Sequence, residues 1–179
     1  MLVQPEQSQG LYSTRVRLGN EELSFVQEFC YLGHVMTADC RDDKDIKKQF
    51  MRQNAVGNML VRKFSIAPIE AKIQLFKSYC YPIYGCALWH HSYQNSISKL
   101  TVSFSDSFKR LINVPRYTSS SLAFATNSTD HINVVFCKFA YSQMSRVTAS
   151  PNSIVSAIVN SDAYNQLPLL DKWESMLYL

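Results

Sequence analysis

The spacing of apolar positions changes once along this chain, near residue 42, and the change separates two kinds of predicted structure. Before it the pattern is short and extended. Arg15, Val16, Arg17 and Leu18 lead into Gly19-Asn20, a two-residue turn signal, and residues 23–26 return as the second arm of a hairpin. Residues 29–36 read as one further strand, with Gly33 inside it where a missing Cβ permits a bulge or a close backbone approach. So few strands do not make a stable sheet, and they predict an exposed edge in want of a neighbour.

From Asp42 the period is helical. Asp42 and Asp43 suit a helix start, where acidic groups face unpaired N–H groups and the positive end of the dipole. Ile46, Phe50, Val56, Met59, Leu60 and Phe64 follow at roughly helical spacing, and Gly57 weakens the middle. Lys44, Lys48 and Arg52 fall at i, i+4 and i+8 and form one basic stripe, with Lys47 beside it. Pro68 opens a second helix carrying Ile69, Ile73, Phe76 and Cys80, which Pro82 ends or kinks. Residues 83–89 are a dense apolar run that belongs in a core. Ile97, Leu100, Phe104, Phe108 and Leu111 mark a third helix, with Lys109 and Arg110 near its C-terminal end. Residues 118–121 are a polar break or N-cap. Helical spacing returns at Val134, Val135, Cys137 and Phe139, then at Ile154, Val155, Ile158 and Val159, with a loop around Pro151 between them. The last segment, residues 167–179, carries Trp173. The predicted fold is mainly α: an N-terminal β-hairpin plus strand, then a bundle of about five or six helices. Its natural divisions are residues 1–40, 41–116 and 117–179.

Composition narrows the class. Of 179 residues 46% are hydrophobic and 18% charged, with 10 Phe and 10 Tyr, which excludes an intrinsically disordered chain. Five Gly and 6 Pro exclude collagen-like character. The longest uncharged stretch, residues 78–98, contains Pro82, His90, His91, Gln94 and Asn95, so no membrane span is expected. The start has neither a basic n-region nor an apolar h-region. With 5 unpatterned Cys, the expectation is reduced thiols in the cytoplasm or nucleus, not secretion. The Asn127-Ser128-Thr129 sequon then reads as chance.

The net charge of +4 hides its distribution. Residues 1–40 hold two basic and five acidic groups, residues 44–77 eight basic and two acidic, and residues 99–116 four basic and one acidic. Two basic blocks in an otherwise neutral or acidic chain suggest a local anion-binding face.

Other chemistry is weak. Cys80, Cys86, His90 and His91 resemble a metal set, but on one helix Cys80 and Cys86 face different ways, so buried thiols with boundary histidines are expected. Cys30, His34 and Cys40 are weaker still. No P-loop, dinucleotide fingerprint or nucleophile elbow occurs, and no cofactor, metal or catalytic residue is assigned. The Asp42-Asp43 pair lacks the strand–turn–strand frame that would aim two carboxylates at metal. The candidate site is therefore the basic set Lys44, Lys47, Lys48, Arg52, Arg62, Lys63, Lys72 and Lys77. It suits backbone phosphates, which position a duplex without reading its sequence.

Several segments together resemble the reverse transcriptases of non-LTR retrotransposons (LINE elements), closest to the chicken-repeat type. Phe29-Cys30-Tyr31-Leu32-Gly33-His34 is similar to the F-x-Y-L-G element that follows the palm, and Asp42-Asp43-Lys44-Asp45-Ile46-Lys47-Lys48-Gln49 to the D-D-x-D-I-x-R-Q segment that opens the thumb. The likeness continues through residues 58–64 and 72–80, Tyr84-Gly85, Leu88-Trp89, residues 108–110, Pro115-Arg116, residues 119–124 and residues 173–178. Order and spacing over about 150 residues carry it. The resemblance implies that Phe29, Tyr31, Leu32 and Gly33 match the primer grip, and that the helix of Lys44 to Lys63 lies against a template–primer duplex. Cys30 stands where the family often carries a basic residue. The family's catalytic Ala-Asp-Asp turn is not in this sequence, which implies a catalytically inactive part of an RNA-directed DNA polymerase, with fingers and most of the palm lying upstream. The expected partner is an RNA–DNA or DNA duplex, held weakly and without sequence preference. The alternative is a protein-interaction or self-associating module that uses the exposed strand edge. No membrane partner is expected.

Overall fold

The computed structural model describes residues 2–3 and 17–177. Arg15 and Val16 of the expected hairpin, and Tyr178 of the terminal segment, lie outside the described residues. Six strands precede seven α-helices among the described residues. The strands are β1 (Leu2–Val3), β2 (Arg17–Leu18), β3 (Glu21–Glu22), β4 (Phe25–Val26), β5 (Glu28–Tyr31) and β6 (His34–Thr37). The helices are α1 (Asp43–Lys63), α2 (Ile69–Cys80), α3 (Gln94–Leu111), α4 (Ser120–Thr126), α5 (Ile132–Thr148), α6 (Ser153–Val159) and α7 (Pro168–Leu177). The mainly helical class with small N-terminal strand pairs is as the periodicity predicts. Of the two readings of residues 118–121 the N-cap holds: they open α4, where the Ser119 hydroxyl accepts from the Leu122 N–H at the first turn.

Two strand assignments need correction. The first hairpin does turn at Gly19-Asn20, but its second arm is Glu21–Glu22, while Phe25–Val26 pairs in parallel with Leu2–Val3. Residues 29–36 are not one strand but a second hairpin, β5–β6, with Tyr31 opposite His34. Leu32 and Gly33 both have positive φ, 46° and 85°, the backbone of a tight two-residue turn that matches the twist of its flanking strands. Leucine is a poor residue for that conformation, which is why its alternation reads through as a strand.

The core forms where the apolar stripes of α1, α2 and α3 meet. Ile46, Leu60, Phe76, Leu100, Phe104 and Phe108 are almost wholly buried. Each such side chain stabilises the fold by about 1.5–3 kcal/mol relative to exposure. Phe76 meets Phe104 and Phe108 at 4.9 Å between ring centres, and Phe108 stacks on Phe124 of α4 at 4.4 Å. Ile132 and Phe136 of α5 extend the same core across residue 117. Trp173 of α7 is buried as well, donating its indole N–H to the Ala87 carbonyl at 2.6 Å. Gly57 does more than weaken α1. A Cβ there would stand 2.5 Å from Ser107 Oγ, so its absence lets α1 and α3 approach closely. No helix among the described residues is long and apolar enough to cross a membrane.

Candidate nucleic-acid interface

The cations of α1 divide between two flanks of the helix. On one flank lie Lys44, Lys48 and Arg52, the predicted stripe, and all three are occupied. Lys44 Nζ pairs with Glu28 Oε2 of β5 at 2.6 Å. Lys48 Nζ donates to the Gly33 carbonyl at 2.6 Å and lies 3.9 Å from Cys30 Sγ. Arg52 donates to the Pro82 carbonyl at 2.6 Å. The primer-grip-like Phe29, Tyr31, Leu32 and Gly33 thus form a hairpin fastened to α1 by the stripe itself. Tyr31 and Leu32 are exposed and Phe29 is half-buried. The remaining predicted cations scatter: Arg62 and Lys63 are exposed at the C-terminal end of α1, Lys72 is buried in α2, and Lys77 donates to the Ser128 carbonyl at 3.2 Å.

The acidic start of α1 completes that fastening. Asp42 occupies the N-cap position, yet its carboxylate makes no cap bond to the helix. Oδ2 accepts from the His90 and His91 amides at 2.9 and 2.8 Å instead. Asp45, fully buried, accepts from the Val35 amide at 3.1 Å and the Trp89 indole at 2.8 Å. His34 Nδ1 stands 3.0 Å from Asp45 Oδ2, out of line for a hydrogen bond. Gly85, at φ 79°, lets the chain close over the pair, since a Cβ there would sit 3.0 Å from His34 Nδ1. Asp43 accepts from the Ser96 hydroxyl, the Tyr93 amide and Arg41 Nε. Burial pulls the Asp43 carboxyl up, but those three donors outweigh it and hold it below the usual carboxylate range.

The other flank of α1 faces α3, its most extensive helical neighbour. Between the two helices runs an open groove of about 610 Å³, lined by Phe50 and Asn54 of α1, by Lys99, Val102, Asp106 and Arg110 of α3, and by Arg116 beyond it. A smaller depression of about 370 Å³ continues it past Lys47 and Lys44. Phe50 and Lys99 border both. The two depressions present four solvent-facing cations, Lys47, Lys99, Arg110 and Arg116, beside the Glu28-paired Lys44 and the buried Lys109, against Asp43 and Asp106. Lys47 and Lys99 are exposed and form no ion pair among the described residues. Arg110 bridges to Asn58 Oδ1 at 2.9 Å and Arg116 to Asp106 at 3.1 Å. Residues from the two basic blocks, far apart in sequence, therefore share one groove.

Lys99, Arg110 and Arg116 stand outside the predicted set although their block was visible. The missed signal is a second stripe on α1, Lys47, Met51, Asn54 and Asn58 at i, i+4, i+7 and i+11, opposite the polar positions of α3. The Cys80, Cys86, His90, His91 set behaves as buried thiols with exposed histidines: burial pushes both thiols up to about 12. Among the described residues no group of three or more His, Cys, Asp or Glu is arranged to hold a metal. Comparison with protein-family models, with curated proteins and with solved structures finds no match.

Proposed function

We propose that this chain is a thumb-like nucleic-acid-binding module of the non-LTR reverse-transcriptase kind, without polymerase activity of its own. It holds a template–primer duplex by its backbone. The observation that carries the reading is the α1–α3 groove, in which cations from both basic blocks line one trough and Lys47 and Lys99 have no ion-pair partner among the described residues. Exposed amines and guanidiniums along a trough neutralise phosphates and release counterions whatever the base sequence. The order of the resembling segments, hairpin first and basic helix next, supports the same reading. Relative to the sequence expectation, the contact shifts from the Lys44–Lys48–Arg52 flank to the Lys47–Lys99 flank.

Fluorescence anisotropy with a labelled RNA–DNA hybrid, titrated over a range of salt, tests it. Four solvent-facing cations predict a log–log salt slope of about −3 to −4. A slope near zero, or no binding, overturns the reading.

One set of observations favours a second reading, a protein-interaction module. The β5–β6 hairpin pairs only with itself among the described residues. Beside it Tyr31, Leu32, Met36, Tyr84 and Leu88 are exposed around a depression of about 460 Å³. A molecular mass that rises with concentration and ignores salt would select that reading.

A further inference from the structure

We propose that Tyr117 is a stacking platform for an unpaired nucleobase at the Arg116 end of the α1–α3 groove, so that the preferred ligand is a duplex carrying a single-stranded extension. The inference rests on the nucleic-acid reading above and adds a ligand class and a residue to it. Tyr117 is 92% exposed, so nearly the whole ring faces water. Its backbone, by contrast, is held on both sides. The Thr118 amide closes a turn onto the Pro115 carbonyl at 3.0 Å. The buried Lys109 ammonium donates to the backbone carbonyls of Arg116 at 2.9 Å and Thr118 at 3.4 Å, on either side of Tyr117, and lies 3.6 Å from Asp106. Arg116 is pinned to Asp106 with most of its side chain still in solvent.

Because the backbone on both sides of Tyr117 is already held, a stacking contact has only its side chain left to order. Every base has a π-face, so the contact needs no sequence, and the neighbouring arginine supplies the phosphate partner. A fully paired duplex offers no base to Tyr117; a strand leaving the groove does. Stacking of one base on an aromatic side chain is worth about 5- to 150-fold in affinity.

The test is anisotropy of the full chain with three labelled probes: a blunt hybrid, the same hybrid with a single-stranded extension, and the single strand alone. Each is run with wild type, Tyr117→Ala and Tyr117→Phe. The expected result is that the extension tightens binding at least fivefold, that Tyr117→Ala abolishes this gain while leaving the blunt hybrid unchanged, and that Tyr117→Phe keeps it. If the extension adds nothing, or Tyr117→Ala retains the gain, the stacking inference falls while salt-sensitive duplex binding stands. If the wild type binds none of the probes, both fall.

Discussion

The two flanks of α1 carry cations that look alike in sequence and do different work. Lys44, Lys48 and Arg52 are spent inward: a carboxylate of β5, the carbonyl of the β5–β6 turn and the carbonyl of Pro82 take one each. Lys47, three residues after Lys44 and next to Lys48, faces an open groove with Lys99 across from it. The difference lies in what the chain brings to each flank. The hairpin and residues 82–91 fold over the first and present acceptors, whereas α3 presents further cations to the second. A basic stripe is therefore evidence of a binding face only once the acceptors packed against it are known.

The largest expected effect comes from cutting the fastening of the first flank. Asp45→Ala leaves the buried Trp89 indole and the Val35 amide without their acceptor. The expected loss is about 3 kcal/mol of stability, measured as a lower denaturant midpoint. A midpoint unchanged from wild type would mean that this network does not hold the hairpin to α1.

The next effect bears on the groove. Gly57→Ala forces α1 from α3, because the new methyl meets Ser107 Oγ at 2.5 Å and its Cβ at 2.8 Å. The expected cost is about 1–2 kcal/mol after the helix-propensity gain of alanine. Adding Ser107→Gly should recover most of it. Absence of recovery would show that the two helices do not touch there.

The smallest effect is a pH dependence outside both flanks. Burial holds the His131 imidazole below its ordinary range. Its Nδ1 accepts the Asn133 amide at the start of α5, and Ser105 Oγ lies 3.4 Å from Nε2, an arrangement that suits the neutral ring with its proton on Nε2. A group whose folded value is depressed binds fewer protons folded than unfolded. Its contribution is present above the ordinary value of 6.5 and is lost as pH falls below it. The midpoint of unfolding should fall slightly between neutral and mildly acidic pH, and His131→Asn, which keeps an N-cap acceptor, should flatten that drop.

Much of the helical fold was legible because local signals agree with packing. Pro68 opens α2, Leu100, Phe104, Phe108 and Leu111 place α3 on the core, and Asn152 caps α6 by accepting from the Ile154 and Val155 amides. The β5–β6 hairpin was not, because a turn with Leu32 at positive φ carries no turn signature. The groove was half legible. Its two basic blocks stood out, but which cations share it depends on the close α1–α3 approach at Gly57, a tertiary fact. Likewise the acidic run at residues 42–45 marks a helix start correctly, while its carboxylates serve amides and an indole some 45 to 50 residues further on, partners that no spacing rule anticipates.

The central claim, that the Lys47–Lys99 flank and not the Lys44–Lys48–Arg52 flank meets nucleic acid, is tested most directly by a paired anisotropy measurement. Lys47→Gln/Lys99→Gln and Lys48→Gln/Arg52→Gln remove the same charge from opposite flanks and are titrated against one labelled RNA–DNA hybrid across salt, with unfolding midpoints recorded in parallel. The first pair should weaken binding about tenfold and lower the salt slope by about 2 at an unchanged midpoint. The second pair should lower the midpoint and leave the slope almost untouched. The reverse pattern, with slope and affinity lost only from the Lys48 and Arg52 variant at an unchanged midpoint, would contradict it.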